Sequence, residues 1–179
     1  MVEFKLVKGD ITQEDTDGIV NAANSTLLGG GGVDGAIHRS SGPELKQECN
    51  RIRKTKYREG LPTGKAVMTR GYELKADYVI HTVGPVYKKN KDQSDLLKNC
   101  IINSLKIAEK NNLESVSFPA ISTGAYGYPK KVCAKIMKDV LENFEYKSIK
   151  KVRIVLYTKK DLNIFKDVFG YVKKESGPF

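Results

Sequence analysis

Short apolar runs alternate along the chain with stretches in which apolar residues return every three or four positions. Six runs have the period and composition of strands: Phe4–Val7, Gly18–Ala23, Lys65–Thr69, Tyr78–Thr82, Ser115–Phe118 and Val152–Tyr157. The stretch Val152–Leu156 is rich in β-branched and aliphatic residues, as in a strand covered on both faces. Five stretches have helical spacing: Val33–Ser40, Glu44–Tyr57, Asp95–Lys110, Lys130–Phe144 and Leu162–Phe169. In Asp95–Lys110, the residues Leu96, Leu97, Ile101, Leu105 and Ala108 make one apolar face, which reads as core. Gly42 ends one helix, and Pro43 sits at the first position of the next. Alternating elements of this kind predict an α/β fold with a mixed, mostly parallel sheet and helices on both faces. Ligands in such folds bind at the carboxyl ends of strands.

The 179 residues fit one domain spanning 1–179 and two would be cramped. A globule of this length buries roughly 70% of its unfolded surface, enough for a real core. With 40% hydrophobic and 29% charged residues, neither disorder nor a membrane class is indicated. The start of the chain alternates like a strand and lacks the apolar run of a signal peptide, so a cytoplasmic location is expected. The three cysteines (Cys49, Cys100 and Cys133) are odd in number and widely spaced. That argues against a disulfide framework and against a structural zinc site, and favours three reduced thiols on packed faces. The net charge of +10 attracts polyanions, so a nucleic-acid partner has to be weighed. The lysines are scattered, with few aromatics among them as stacking platforms, which favours a solvated basic surface. That surface would still concentrate a phosphorylated ligand.

Two loops at strand ends carry the candidate chemistry. The first runs from Asn21 through Asn24 and four consecutive glycines, Gly29, Gly30, Gly31 and Gly32, to Val33, Asp34 and Gly35. Backbone N–H groups without side chains can approach a phosphate closely, and the following helix points its positive end there. A flexible surface loop is the competing reading, and the place between strand and helix favours the anion. Neither the Walker pattern nor the dinucleotide fingerprint fits this spacing. The second loop, Pro119–Pro129, holds Ser122, Thr123, Gly124, Ala125 and Tyr126. Its hydroxyl and amide donors, and the flat face of Tyr126, suit a diphosphate and a ribose; a structural turn is the alternative.

Side chains near these loops have two readings each. Asn21 and Asn24, three apart at a strand exit, suit ribose hydroxyls or cap a turn. Asp34 and His38, four apart on one helix face, pair a carboxylate with an imidazole. Asp34 could hold a ribose hydroxyl or polarise a water, whereas His38 is as a rule structural, as is His81 in mid-strand. Asp10, after the first strand, suits an exocyclic amine or caps the following turn. Tyr157, at the last strand's end, either covers a flat base or fills the core.

Together, Gly9-Asp10-Ile11, NAANSTLLGGGGVDGAIHRSSG, TGKAVMTRGYELKADYVIHTVGP and FPAISTGAYGYP resemble the macrodomain family, and within it the MacroD-type branch. The resemblance covers nearly the whole chain and implies a three-layer α/β/α sandwich. It implies that Asp10 binds the adenine amine of ADP-ribose and Ile11 contacts the adenine through its backbone. It implies that Asn21, Asn24 and Asp34 surround the distal ribose. Gly30, Gly31, Gly32 and Val33 would form one side of a diphosphate cradle, and Ser122, Thr123, Gly124, Ala125 and Tyr126 the other. Tyr157 would stack on adenine. The resemblance further implies a hydrolase of esters on the distal ribose: deacetylation of O-acetyl-ADP-ribose and release of ADP-ribose from mono-ADP-ribosylated acidic side chains. Asn24, Asp34 and His38 are then the catalytic group. The zinc-dependent branch carries extra Cys/His ligands around the glycine loop that are lacking here, so no metal or other cofactor is expected. The alternative is a reader that binds ADP-ribosylated proteins without cleaving them.

Overall fold

The computed structural model describes residues 1–170; Tyr171–Phe179 lie outside the described part. Six strands form one sheet: β1 Glu3–Lys8, β2 Gly18–Ala23, β3 Ala66–Arg70, β4 Tyr78–Val83, β5 Ser115–Phe118 and β6 Lys151–Leu156. Their order is β1-β6-β5-β2-β4-β3. Every pairing is parallel except β3 with β4, so the expected mixed, mostly parallel sheet is what forms.

Among the described residues five helices cover it: α1 Gly32–Ser41, α2 Pro43–Thr55, α3 Ser94–Lys110, α4 Lys130–Asn143 and α5 Lys159–Phe169. The buried residues of α1 and α2, Ile37, Leu45 and Cys49, pack with Ile19, Val67 and Val79 from the sheet. Leu97, Leu105, Met137 and Phe165, from α3, α4 and α5, pack with Val20, Ile80 and Phe118. Neighbouring residues of β2 and β4 thus feed opposite clusters, as the alternation of side chains along a strand requires. The result is the three-layer α/β/α sandwich. Among the described residues, no helix is long and apolar enough to cross a membrane.

Element boundaries move where capping decides them. α5 starts at Lys159 rather than Leu162, because the Thr158 hydroxyl accepts from the Asp161 N–H at 3.1 Å and fixes the first turn. Gly42 has φ 82°, and Pro43 begins α2, as the Gly-Pro pair predicts. β6 ends at Leu156, and Tyr157 leaves the sheet with 78% of its surface exposed. The core-filling reading of Tyr157 is therefore excluded. A short 3-10 turn, Ile11–Gln13, was not legible in the hydrophobic pattern, because it is held by a side-chain cap from Asp10.

Candidate active site

Sheet order places the two glycine-rich loops side by side. β2 and β5 are parallel neighbours, with Gly18 opposite Val116 and Ile19 opposite Ser117. Their loops therefore leave the same edge. The chain then turns to opposite faces, into α1 after β2 and into α4 after β5. A crevice at such a switch point is the ligand site of open α/β sheets. β1 and β6 lie next in order and run the same way, so Asp10, after β1, and Tyr157, after β6, belong to that edge too. Four adjacent strand ends span three interstrand steps, about 14 Å.

The first loop is held by its own atoms. The Asn24 Oδ1 accepts from the N–H and hydroxyl of Thr26, and its Nδ2 donates to the Gly29 carbonyl at 2.9 Å. Asn24 is the turn-capping asparagine, and one N–H of its amide is left over. Leu27 adopts φ 60° and is wholly buried among Ile19, Ile37 and Leu61. A left-handed leucine costs about 1–2 kcal/mol, and burying its side chain contributes about 1.5–3 kcal/mol. The loop is thus pinned rather than flexible. Gly35 is forced by close approach: a Cβ there would meet the Gly30 carbonyl oxygen at 2.3 Å. The loop therefore lies directly on α1. No side chain caps α1 at Gly31, so the N–H groups of Gly32, Val33 and Asp34 have no acceptor within the helix. Around Gly31 and Gly32 nothing would meet a Cβ within 4 Å. Open space in front of free N–H groups is the arrangement an anion needs.

Beneath the loop runs a buried polar chain. The Asn21 Nδ2 donates to the Asp34 Oδ1 at 2.8 Å and lies 3.0 Å from the His81 Nδ1. The His81 Nε2 lies 2.9 Å from the Thr69 hydroxyl. Asn21 and His81 are wholly buried and Asp34 is 4% exposed. The Asn21 amide nitrogen is thus turned to Asp34 and His81 below the loop, and its Oδ1 has no partner among the described residues. The Asp34 Oδ2 has no partner among the described residues. It faces Gly30, where a Cβ would sit 3.3 Å away. Burial raises the Asp34 carboxyl above the usual range, with the bond from Asn21 opposing it. The His38 Nε2 is 3.4 Å from the Asp34 Oδ1, a contact too long and unaligned for a good hydrogen bond. Burial lowers the His38 pKa despite Asp34, so at neutral pH the ring is uncharged beside a carboxylate.

His38, Cys49 and His81 bring ligand-type atoms within 4.8 Å of one another, from three separate elements. They suit a packed core better than an ion. Burial pushes the Cys49 thiol up to about 12, so its resting form is a neutral thiol. It also lowers His81 to about 3, leaving one lone pair on a neutral ring.

The second loop is equally fixed. Ser122 has φ 66°, and a Cβ on Gly84 would meet its hydroxyl oxygen at 2.0 Å. The Ser122 carbonyl accepts from the Tyr128 N–H at 2.9 Å, and the Thr123 hydroxyl donates to the Ala120 carbonyl at 2.7 Å. The hydroxyl of Thr123 is thereby taken by the loop itself. The Tyr126 carbonyl accepts from the Tyr87 N–H at 2.8 Å, tying this loop to the segment after β4. Gly124 and Ala125 are exposed and Tyr126 half-buried, with nothing within 4 Å of a Cβ at Gly124.

At the far strand ends, the Asp10 Oδ1 accepts from the Thr12 N–H at 2.9 Å and from its hydroxyl at 2.7 Å. The capping reading of Asp10 holds, and its Oδ2 is the oxygen that remains for another donor. Ile11 is buried beside it. Two grooves lie elsewhere, one of about 580 Å³ among Lys131, Lys135, Glu142 and Asp167 and one of about 220 Å³ among Lys65, Asn103 and Lys106. Neither carries converging N–H groups or a buried carboxylate.

The Macro domain family model matches residues 20–137 of the chain, from β2 into α4, with both loops inside it. The chain belongs to the Macro domain family. This macro domain is 45% identical over 174 residues to a macro domain-containing protein of Caldanaerobacter subterraneus, across 96% of its own length and 98% of the relative's. It is 50% identical over 140 residues to a protein of Escherichia fergusonii named O-acetyl-ADP-ribose deacetylase, covering 78% of each. Among solved structures, it resembles a mutant Oceanobacillus iheyensis macrodomain with ADPR, with TM-score 0.89, 44% identity and coverage of 93% and 91%. It also resembles a Trypanosoma brucei macrodomain in complex with ADP-ribose, with TM-score 0.81, 38% identity and coverage of 92% and 68%.

Several residues that shape this macro domain's site were invisible as site residues in the sequence. Leu27, Gly35 and Gly84 act by pinning or close packing; Gly35 meets Gly30 in its own loop, whereas Gly84 meets Ser122 from the loop after β5. The signal available for Gly35 and Gly84 was only that glycine stands where a helix and a strand end would otherwise prefer a side chain. His81 was read as structural, and nothing local indicated that Asn21 joins it to Asp34.

Proposed function

We propose that this macro domain binds ADP-ribose across the ends of β1, β6, β5 and β2 and hydrolyses an ester on the distal ribose. The substrates are O-acetyl-ADP-ribose and proteins mono-ADP-ribosylated on aspartate or glutamate, with no metal taking part. One observation carries the reading: uncapped N–H groups of α1 and the exposed second loop flank the same switch point, with the buried carboxylate of Asp34 in the first turn between them. Binding of ADP-ribose by the Trypanosoma brucei relative, and the deacetylase name of the Escherichia fergusonii relative, support the same assignment.

Adenine would lie between the Asp10 Oδ2, the backbone of Ile11 and the ring of Tyr157. The diphosphate would lie between Gly30–Val33 and Ser122–Tyr126, where backbone N–H groups stabilise its charge. The distal ribose would then reach the remaining N–H of Asn24 and the Oδ2 of Asp34, with Tyr126 against its face. A water held between a phosphate oxygen and the ester attacks the acyl carbon. Asp34 takes the proton from that water, the bond from acyl carbon to ribose oxygen breaks, and the proton passes to the departing ribose oxygen. The products are a carboxylic acid and ADP-ribose. A carboxylate whose pKa is raised by burial is suited to this duty, since a base works best near the operating pH. His38, uncharged, packs against Asp34 and keeps bulk water from it.

The test is incubation with O-acetyl-ADP-ribose and with a glutamate-linked ADP-ribosyl protein, products being followed by mass spectrometry. Acetate and free ADP-ribose are expected. ADP-ribose binding without either product would leave a reader in place of an enzyme.

A further inference from the structure

We infer that His81 is a positioning residue for Asp34, acting through Asn21 as a fixed-tautomer acceptor at the base of the site. The inference rests on the hydrolase reading above. It follows from counting donors and acceptors along the buried chain.

Asn21 presents its Nδ2 to two neighbours, the Asp34 Oδ1 at 2.8 Å and the His81 Nδ1 at 3.0 Å. An amide nitrogen has two hydrogens and no lone pair to offer. Both hydrogens are therefore used, and the His81 Nδ1 must accept. A neutral imidazole has one N–H and one lone pair, so the proton of His81 sits on Nε2. The Thr69 hydroxyl, 2.9 Å from Nε2, takes that proton as acceptor and donates its own to the Arg70 carbonyl at 3.2 Å. Every hydrogen from Arg70 to Asp34 then has one direction.

The reverse arrangement is unfavourable. With the proton on Nδ1, Asn21 would have to turn its carbonyl oxygen toward His81. The same oxygen would then stand against the Asp34 carboxylate, where two acceptors repel. Only a protonated Asp34 would tolerate it. His81 thus favours the ionised carboxylate and fixes Oδ1, so that Oδ2 is the oxygen left facing Gly30. Complete burial keeps the imidazole neutral, as the scheme requires.

The same count disposes of a metal at His38, Cys49 and His81. The Nε2 of His81 lies 3.8 Å from the Cys49 sulfur, and it carries the proton. A ligating Nε2 would force the reverse tautomer and break the Asn21–Asp34 bond.

Two substitutions separate positioning from packing. In His81→Asn, the side-chain oxygen falls near the place of Nδ1 and keeps an acceptor for Asn21. In His81→Gln, the longer amide reaches the place of Nε2 and leaves Asn21 without that acceptor. Both remove the ring, so both should lower the melting temperature by similar amounts. His81→Gln is expected to lower kcat for O-acetyl-ADP-ribose by about 10–100-fold, the scale of a misplaced reacting group. KM and the Kd for ADP-ribose should stay within about twofold. His81→Asn should keep kcat within about threefold of the parent. Equal losses in the two variants, or a Kd that weakens in step with kcat, would overturn the inference. An inactive parent would instead remove the hydrolase reading beneath it. Nitrogen-15 NMR of the parent reports the tautomer without any variant: a protonated Nε2 is expected, and a protonated Nδ1 refutes the scheme whatever the kinetics.

Discussion

Gly124 and Gly35 make opposite uses of a missing side chain, and replacing each in turn separates ligand binding from folding. At Gly124 nothing lies within 4 Å of an added Cβ, and its φ is not in the left-handed region. Gly124→Val should therefore leave stability within about 0.5 kcal/mol of the parent, as for an ordinary surface change. At roughly 2–4 °C per kcal/mol for a chain of this size, the melting temperature should move by less than about 2 °C. The isopropyl group would nonetheless occupy the space in front of the second loop, where a diphosphate is expected. Each hydrogen bond to a charged group contributes about 1.5–3 kcal/mol. Losing one such bond weakens the Kd by about 10- to 150-fold. At Gly35, by contrast, a Cβ would meet the Gly30 carbonyl oxygen at 2.3 Å, and both partners are backbone. Gly35→Ala must push the loop off α1, at about 1–3 kcal/mol or more, and its melting temperature should fall by several degrees. Calorimetric titration with ADP-ribose, beside thermal melts of the three proteins, measures both effects. A Gly124→Val protein that binds ADP-ribose with parental affinity would refute the placement of the diphosphate against this loop.

Asp34→Asn should abolish turnover, seen with O-acetyl-ADP-ribose, yet raise the melting temperature. Asn keeps an acceptor for Asn21 and removes a charge whose burial raises the carboxyl pKa. A raised folded-state pKa means stability is lost as pH rises through it, so the gain should be on the order of 1 kcal/mol near pH 8 and smaller near pH 5; a gain that grows toward acid would contradict the sign. Asn24→Ala should lower turnover by roughly 100-fold while ADP-ribose binding survives, since the proposed role of Asn24 is to orient the sugar rather than the diphosphate; rates equal to the parent's would remove it from the mechanism. Tyr157→Ala should leave stability unchanged, because the ring is exposed. It should weaken ADP-ribose by about 1–3 kcal/mol of lost stacking and leave ribose 5-phosphate binding as it was; equal losses for both ligands would argue against an adenine contact.

The fold was legible because each element carries its own period. The apolar stripe of α3 and the aliphatic run of β6 announce themselves within a few residues, and Gly42-Pro43 marks the break between α1 and α2. What was not legible depends on contacts between segments far apart in sequence. Asn21 and Asn24 look alike as two amides three residues apart, yet one lies under the sheet edge and the other closes a turn. Their difference is made by His81, sixty residues away, and by Thr26 beside Asn24. Tyr157 shows the complementary failure: a strand pattern cannot tell whether its last residue still pairs, and here the sheet ends one residue earlier.

The glycine loops could be recognised in the sequence because the binding proposed for them runs through the main chain. A site built from N–H groups needs no particular side chains, only their absence and a backbone held still. Holding it still needs strain and close packing, seen in Leu27 and Ser122 with left-handed φ and in Gly35 and Gly84 with no room for a methyl. The carboxylate is treated in the opposite way. Asp34 is buried at a cost in stability and is steadied from behind by a chain of neutral groups, none of which need meet the ligand. Affinity and turnover therefore belong to separable parts of the molecule. Changes at the glycines of the two loops should act chiefly on Kd, and changes at Asn24 and along Asp34, Asn21 and His81 chiefly on kcat.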